Sequence, residues 1–156
     1  MDTDASSTEE HGATSPGSVL GVVEVDLPSR LDVVTVARMV AAAAASCVGV
    51  LEADRLDDLR WVTSDAVTNA DEANQRTENP GRVLLRIEVR DKGVALSVSD
   101  NGPGLPVVDP LPDLTDPERL MTEGGFGIPL MQMLSSTPVV FSTGPAGTTV
   151  ELEVFG

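Results

Sequence analysis

One cysteine, Cys47, and one histidine, His11, stand among 156 residues, and there is no tyrosine. A single cysteine excludes an intramolecular disulfide and a cysteine-based metal cluster. A single histidine, set in an N-terminal stretch without apolar pattern, excludes Ser-His-Asp and Cys-His catalysis and argues against zinc. Lysine and arginine number 10 against 25 aspartates and glutamates, a formal net charge of -15. That imbalance repels nucleic acid and anionic membrane surfaces and makes a basic protein surface the easier partner. No basic patch interleaved with aromatics is present. No apolar run reaches membrane-spanning length, because Arg38 interrupts the stretch from Val33 to Val50. The N-terminus lacks the basic start and apolar run of a secretory signal. A reducing, cytoplasmic setting is the expectation. Aromatics make up 3% of a 41% apolar share, so the core must come from Val, Leu, Ile and Ala.

What is present reads as one domain behind a tail. Residues 1–18 are rich in Ser, Thr, Glu and Gly and are expected to be a disordered acidic tail. Gly21 to Leu27 alternates as a strand, which Pro28 stops. Ser29 is placed to cap a helix running to about Val48, with Val33, Val36, Val40, Ala44 and Cys47 as its apolar stripe. Asp54 is placed to cap a second helix, whose Leu59, Val62, Ala66, Ala70 and Ala73 follow three- and four-residue steps. Asn79-Pro80-Gly81 is expected to end it. Val83, Leu85, Ile87 and Val89 alternate with charges in one strand. After an Asp91-Lys92-Gly93 turn, Val94, Leu96 and Val98 do so in the next. A Pro- and Asp-rich loop covers about 105–124. A short helix from Gly127 to Leu134 comes next, and then a last hairpin around Gly144-Pro145-Ala146-Gly147. The predicted architecture is an α/β (α+β) two-layer sandwich, a mostly antiparallel mixed sheet with helices on one face.

Several polar residues fall at element ends. Asp100 continues the inward phase of Val94, Leu96 and Val98, so its carboxylate faces the helices. It would suit a donor such as the adenine amine, or serve as the first residue of an Asn-Gly turn. Gly102 and Gly104 allow close backbone approach and positive φ, for a ligand or for loop geometry alone. Asp65 and Asn69 share one helix face. An amide there can offer oxygen to Mg²⁺ and a carboxylate can take a hydroxyl proton. The same pair also suits a solvated helix edge. Gly124, Gly125 and Gly127 open a helix, a place for phosphate or for a hinge. Arg119 is the only basic residue of the long loop and a candidate phosphate contact. Thr148 can face the Asp100 pocket, and Trp61 reads as core or partner surface.

Taken together, these segments resemble the GHKL ATP-binding family, the Bergerat fold of gyrase B, histidine kinase and MutL ATPase domains. The closest likeness is to the small bacterial anti-sigma-factor serine/threonine kinases. Ser64-Asp65-Ala66-Val67-Thr68-Asn69-Ala70 is similar to that subfamily's N box, and Asp100-Asn101-Gly102-Pro103-Gly104 to the adenine box. Gly125-Phe126-Gly127 is similar to the phosphate box, and Gly147-Thr148-Thr149 to a Gly-Thr-Thr near the domain end. The resemblance spans about Val19 to Phe155. It implies that Asp100 reads adenine, Gly102 and Gly104 line the base, and Asn69 ligates Mg²⁺. It also implies that Gly125 and Gly127 touch phosphates and that Asp65 holds the place of the catalytic glutamate.

The function implied by the resemblance is that of an ATP–Mg²⁺-dependent anti-sigma factor. Such a protein sequesters a sigma factor and phosphorylates Ser or Thr of an anti-anti-sigma (STAS) protein. It acts as a homodimer, without nucleic acid or membrane contact. The loop at 105–124 would be its lid. This chain departs from the pattern in three ways: Asp65 is one methylene shorter than Glu, Ala73 stands where a histidine is frequent, and the lid is acidic. A non-catalytic, nucleotide-tuned binding module and a stand-alone ATPase are the alternative expectations.

Overall fold

A computed structural model describes residues 17–77, 81–102 and 127–156. The elements, in chain order, are β1 (Val19–Pro28), α1 (Val33–Val48), α2 (Ala53–Gln75), β2 (Arg82–Arg90), β3 (Gly93–Ser99), α3 (Gly127–Leu134), β4 (Val140–Gly144) and β5 (Gly147–Phe155). Residues 1–16 of the expected tail, Asn79 and Pro80, and the expected lid lie outside the described residues. Gly17 and Ser18 belong to the described part, where the Ser18 backbone N–H donates to Asp91 Oδ1 at 3.0 Å.

Strand alternation builds the sheet. Leu85, Val98 and Val150 stand side by side across β2, β3 and β5, as do Ile87, Leu96 and Leu152, and Val89, Val94 and Val154. All nine are buried and form the floor of the core. The sheet order is β1-β2-β3-β5-β4. Among the described residues every pairing is antiparallel, so the sheet described is antiparallel rather than mixed, and the two-layer α+β architecture stands. The helices cover the apolar face. The opposite face carries cross-strand ion pairs, among them Arg86–Glu24 at 2.9 Å and Arg90–Glu153 at 3.4 Å. The Arg86–Glu24 pair is largely exposed, so solvent screens it and it adds little to stability.

Two helix starts differ from expectation. Ser29 does not cap α1; Asp32 occupies the N-cap without a side-chain cap bond. The Ser29 hydroxyl instead donates to buried Asp71 of α2 at 2.7 Å. Asp54 lies inside the first turn of α2 and Glu52 holds its N-cap. Asp54 therefore acts on the helix dipole rather than as a cap. The stripe of α1 is also rotated. Ala37, Ala41 and Ala45 are buried, whereas Val36 is 47% exposed and Cys47 is exposed. Small residues at four-residue steps let α1 lie close against α2. On α2 the expected Leu59, Val62, Ala66, Ala70 and Ala73 are all buried.

Candidate nucleotide site

Asp100 comes directly after the last residue of β3 and keeps its inward phase. Its backbone N–H donates to the Thr148 carbonyl at 2.9 Å, extending the β3–β5 ladder by one step. Its Oδ1 accepts from the backbone N–H groups of Gly102 at 3.0 Å and Thr148 at 3.2 Å. Among the described residues Oδ2 has no donor. Burial raises the Asp100 carboxyl above its ordinary range, while the two backbone N–H groups and the Arg76 charge pull it back. One oxygen is thus locked by the fold and the other is available.

Glycine on either side makes this possible. At Gly147 φ is +134°. A Cβ there would lie 1.9 Å from the Asp100 carbonyl oxygen. Gly147→Ala is therefore expected to cost at least ~2 kcal/mol in urea unfolding, through both backbone strain and displacement of Asp100. A loss below ~0.5 kcal/mol would mean that the turn relaxes freely. Gly102 has no positive φ, contrary to one expectation for it. Its need is space: a Cβ would stand 2.6 Å from the Ala73 carbonyl oxygen of α2. The close backbone approach expected at Gly102 is made to the helix.

Asp100 opens into a cleft of about 260 Å³ between α2 and the sheet. Ala66, Ala70 and Ala73 form its helical wall, with Val98 and Val150 below and Ile128 and Phe141 at the side. Alanines on a buried helix face leave room for a flat ring. Apolar walls with a few convergent polar groups are the usual make-up of a small-molecule site. The polar groups are Asn69, Asp100, Thr148, Glu72 and Arg76. The structure thus brings Asn69, Asp100 and Thr148 together across three elements. Thr148 is 4% exposed; its hydroxyl lies 3.0 Å from the Thr143 hydroxyl. Asn69 is half-buried and its amide has no hydrogen-bond partner among the described residues.

Asp65 lies one helical turn before Asn69 on α2, about 6 Å along the axis. It does not line the cleft. Its Oδ2 is buried without a hydrogen-bond partner among the described residues, and burial raises its pKa to about 6. Gly127 is the first residue of α3, and the next residue, Ile128, lines the cleft. The start of that helix therefore adjoins the site. Gly104, Arg119, Gly124 and Gly125 lie outside the described residues. Trp61 is 58% exposed, in a shallow groove with Arg38 and Met39, and does not line the cleft.

Arg76 escaped the sequence reading. It is seven residues beyond Asn69, two helical turns on the same face, and that spacing was the available signal. It is the one cation among the described cleft residues. Among the described residues no group of three or more His, Cys, Asp or Glu is placed to hold a metal unaided. A cation at Asn69 would need ligand oxygens as well, which is how Mg²⁺ binds with phosphates. A larger groove of about 510 Å³ crosses the opposite sheet face, but its Arg86, Glu88 and Arg90 are already ion-paired to one another or to neighbours. No helix is long and apolar enough to cross a membrane among the described residues.

Comparison with known proteins bears on the same elements. Residues 27–154 match the histidine kinase-like ATPase domain. The serine-protein kinase RsbW of Bacillus velezensis is 28% identical over 135 residues, 83% of this chain and 82% of that protein. The anti-sigma F factor of Geobacillus stearothermophilus is 31% identical over 103 residues, 64% of this chain and 69% of that protein. Among solved structures, the RsbU and RsbW domains of a Mycobacterium tuberculosis protein match with a TM-score of 0.64 at 17% identity. That match covers 86% of this chain and 32% of the larger one. The histidine kinase domain of a blue-light activated kinase from Erythrobacter litoralis matches with a TM-score of 0.51 at 18% identity, over 88% of this chain and 69% of that chain. These structural likenesses establish the fold. With five antiparallel strands under helices and the matched segment running from the end of β1 through nearly all of β5, the chain belongs to the histidine kinase-like ATPase domain family.

Proposed function

We propose that this protein is an ATP- and Mg²⁺-binding anti-sigma regulator with serine/threonine protein kinase activity. Its relatives named serine-protein kinase RsbW and anti-sigma F factor support that reading. The observation that carries it is the convergence of Asn69, Asp100 and Thr148 on one apolar-walled cleft. In this reading Asp100 Oδ2 accepts a hydrogen from the adenine amine while Oδ1 stays locked to the backbone. Thr148 borders the base, and Gly102 and Gly104 line it. Gly125, Gly127 and the start of α3 receive the phosphates, with Arg119 as a further contact.

One residue of the cleft fits a bound Mg²⁺: Asn69, half-buried at the rim, offers an amide oxygen with no hydrogen-bond partner among the described residues. When bound, the ion would screen the triphosphate charge. Asp65 accepts the proton of the acceptor hydroxyl as its oxygen bonds to the γ-phosphorus. The bond from that phosphorus to the bridging oxygen breaks, and ADP leaves with the electron pair. A carboxylate with pKa about 6 is ionised at neutral pH yet more basic than a free aspartate. The acceptor is a serine or threonine of an anti-anti-sigma (STAS) protein. The sequestered partner is a sigma factor, and the setting is a cytoplasmic homodimer without direct nucleic-acid or membrane contact.

The test is incubation with γ-labelled ATP, Mg²⁺ and a candidate anti-anti-sigma protein, followed by phosphosite mapping. Label on a partner serine or threonine is the expected result, and calorimetry showing no ATP binding would overturn the reading. A second reading, a non-catalytic module tuned by nucleotide, is favoured by the short Asp65 side chain and its position outside the cleft lining. Tight ATP binding with no label on any partner would select it.

A further inference from the structure

The turn carrying Asp100 is held by a closed ring of hydrogen bonds whose members do not line the cleft. Asn74, near the end of α2, is 0% exposed. Its Oδ1 accepts from the Asn101 backbone N–H at 3.0 Å, and its Nδ2 donates to the Arg82 carbonyl at 3.1 Å. Asn101 Oδ1 closes the ring by accepting from the Arg82 backbone N–H at 3.1 Å. Three places in the fold are thereby joined: the end of α2, the start of β2 and the exit of β3. Gly81 makes room for the ring. A Cβ on Gly81 would lie 2.1 Å from Asn101 Oδ1 and 2.2 Å from its Nδ2. Its φ is not positive, so an alanine can adopt the backbone and only the space is lost.

Packing alone does not call for an amide at position 74. An apolar side chain of similar size would fill that buried place without the cost of desolvating polar atoms. What the amide does, and a leucine would not, is fix the backbone of residues 100–102 against α2 within hydrogen-bond tolerance. Asp100 depends on that backbone, because Gly102 N–H is one of the two donors locking its Oδ1. Asn69 also rides on α2. The ring therefore sets both the direction of the Asp100 carboxylate and its separation from the Asn69 amide. A shift of about 1 Å at such a site is enough to cost ~100-fold in a positioned interaction.

We propose that Asn74 and Asn101, with Gly81 as their spacer, are positioning residues that set the purine affinity and selectivity of the cleft without touching the nucleotide. The proposal rests on the reading of this cleft as a nucleotide site. It is tested by calorimetric titration of ATP–Mg²⁺ and GTP–Mg²⁺ into the parent, Asn101→Ala and Gly81→Ala, with circular dichroism to establish folding. Asn101 is exposed, so its loss leaves the core intact. Each variant is expected to bind ATP at least ten-fold more weakly and to narrow the ATP-to-GTP preference by several-fold. A purely structural role would lower the melting temperature and leave that preference unchanged. Asn74→Ala is expected to show the largest loss; if it does not fold, Asn101→Ala and Gly81→Ala decide. Folded Asn101→Ala and Gly81→Ala binding ATP within two-fold of the parent, with its preference, would overturn the proposal. A parent that binds no ATP would instead remove the nucleotide reading, and this proposal with it.

Discussion

Asp100→Asn is expected to cut ATP affinity at least 100-fold while leaving the fold intact. The two backbone donors to Oδ1 decide how the amide must sit. Its oxygen takes the place of Oδ1, because only an acceptor satisfies the Gly102 and Thr148 N–H groups. The NH₂ group then stands where Oδ2 was. An acceptor facing the adenine amine has become a donor facing a donor. Loss of a hydrogen bond to a charged group costs about 1.5–3 kcal/mol, and the unpaired donors add to it. A 100-fold loss corresponds to about 2.7 kcal/mol. The same geometry predicts a gain elsewhere. A purine with a keto group at that position presents an acceptor, so inosine triphosphate should lose far less affinity than ATP, or bind better than it does to the parent. Calorimetry with both nucleotides reads the two effects together. Parent-like ATP affinity in a folded Asp100→Asn would place the base elsewhere.

How far the sequence exposed all this depended on the kind of pattern involved. Val83 to Val89 and Val94 to Val98 alternate with polar residues, and a period of two has only one inward phase, so these strands were legible. The same phase aimed Asp100 at the helices, and it does face them. In α1 nearly every residue is apolar, so valines and alanines compete for the inward face and periodicity cannot rank them. The alanines are inside because α2 lies close. Ser29 was misread because its partner, Asp71, is 42 residues away and no local rule reaches it. Asn74 was invisible for the same reason: its partners are the backbones of Arg82 and Asn101. A polar residue four after Ala70 on a buried stripe was the only hint. The cleft positions of Asn69, Asp100 and Thr148 were legible because helix face and strand phase are local patterns. It was obscure where long-range hydrogen bonds do the positioning.

Asp65→Asn should separate binding, transfer and stability. ATP affinity is expected to stay within about three-fold of the parent, because Asp65 does not line the cleft. Transfer to a partner serine or threonine should fall by about 10²–10⁴-fold, the usual contribution of a positioned general base. The fold itself should become more stable at neutral pH. Burial raises the Asp65 pKa from 3.8 to about 6, so the native state binds this proton more tightly than the unfolded chain does. Above pH 6 the parent therefore carries an ionised, partly desolvated carboxylate without a partner. Its stability rises, relative to the variant, as pH drops through the window from about 6 to 3.8. A neutral amide removes that penalty. The variant should melt a few degrees higher at about pH 7.5, and the difference should vanish by about pH 3.5, where both side chains are uncharged. Partial exposure lets water screen the charge, which keeps the gain modest. The parent's transfer rate should fall about ten-fold per pH unit below 6, as the base is protonated. If Asp65→Asn melts lower than the parent near neutral pH, its buried oxygen has a stabilising partner and the carboxylate is not held in reserve for a hydroxyl. If the variant transfers phosphate at the parent's rate, another group takes the proton.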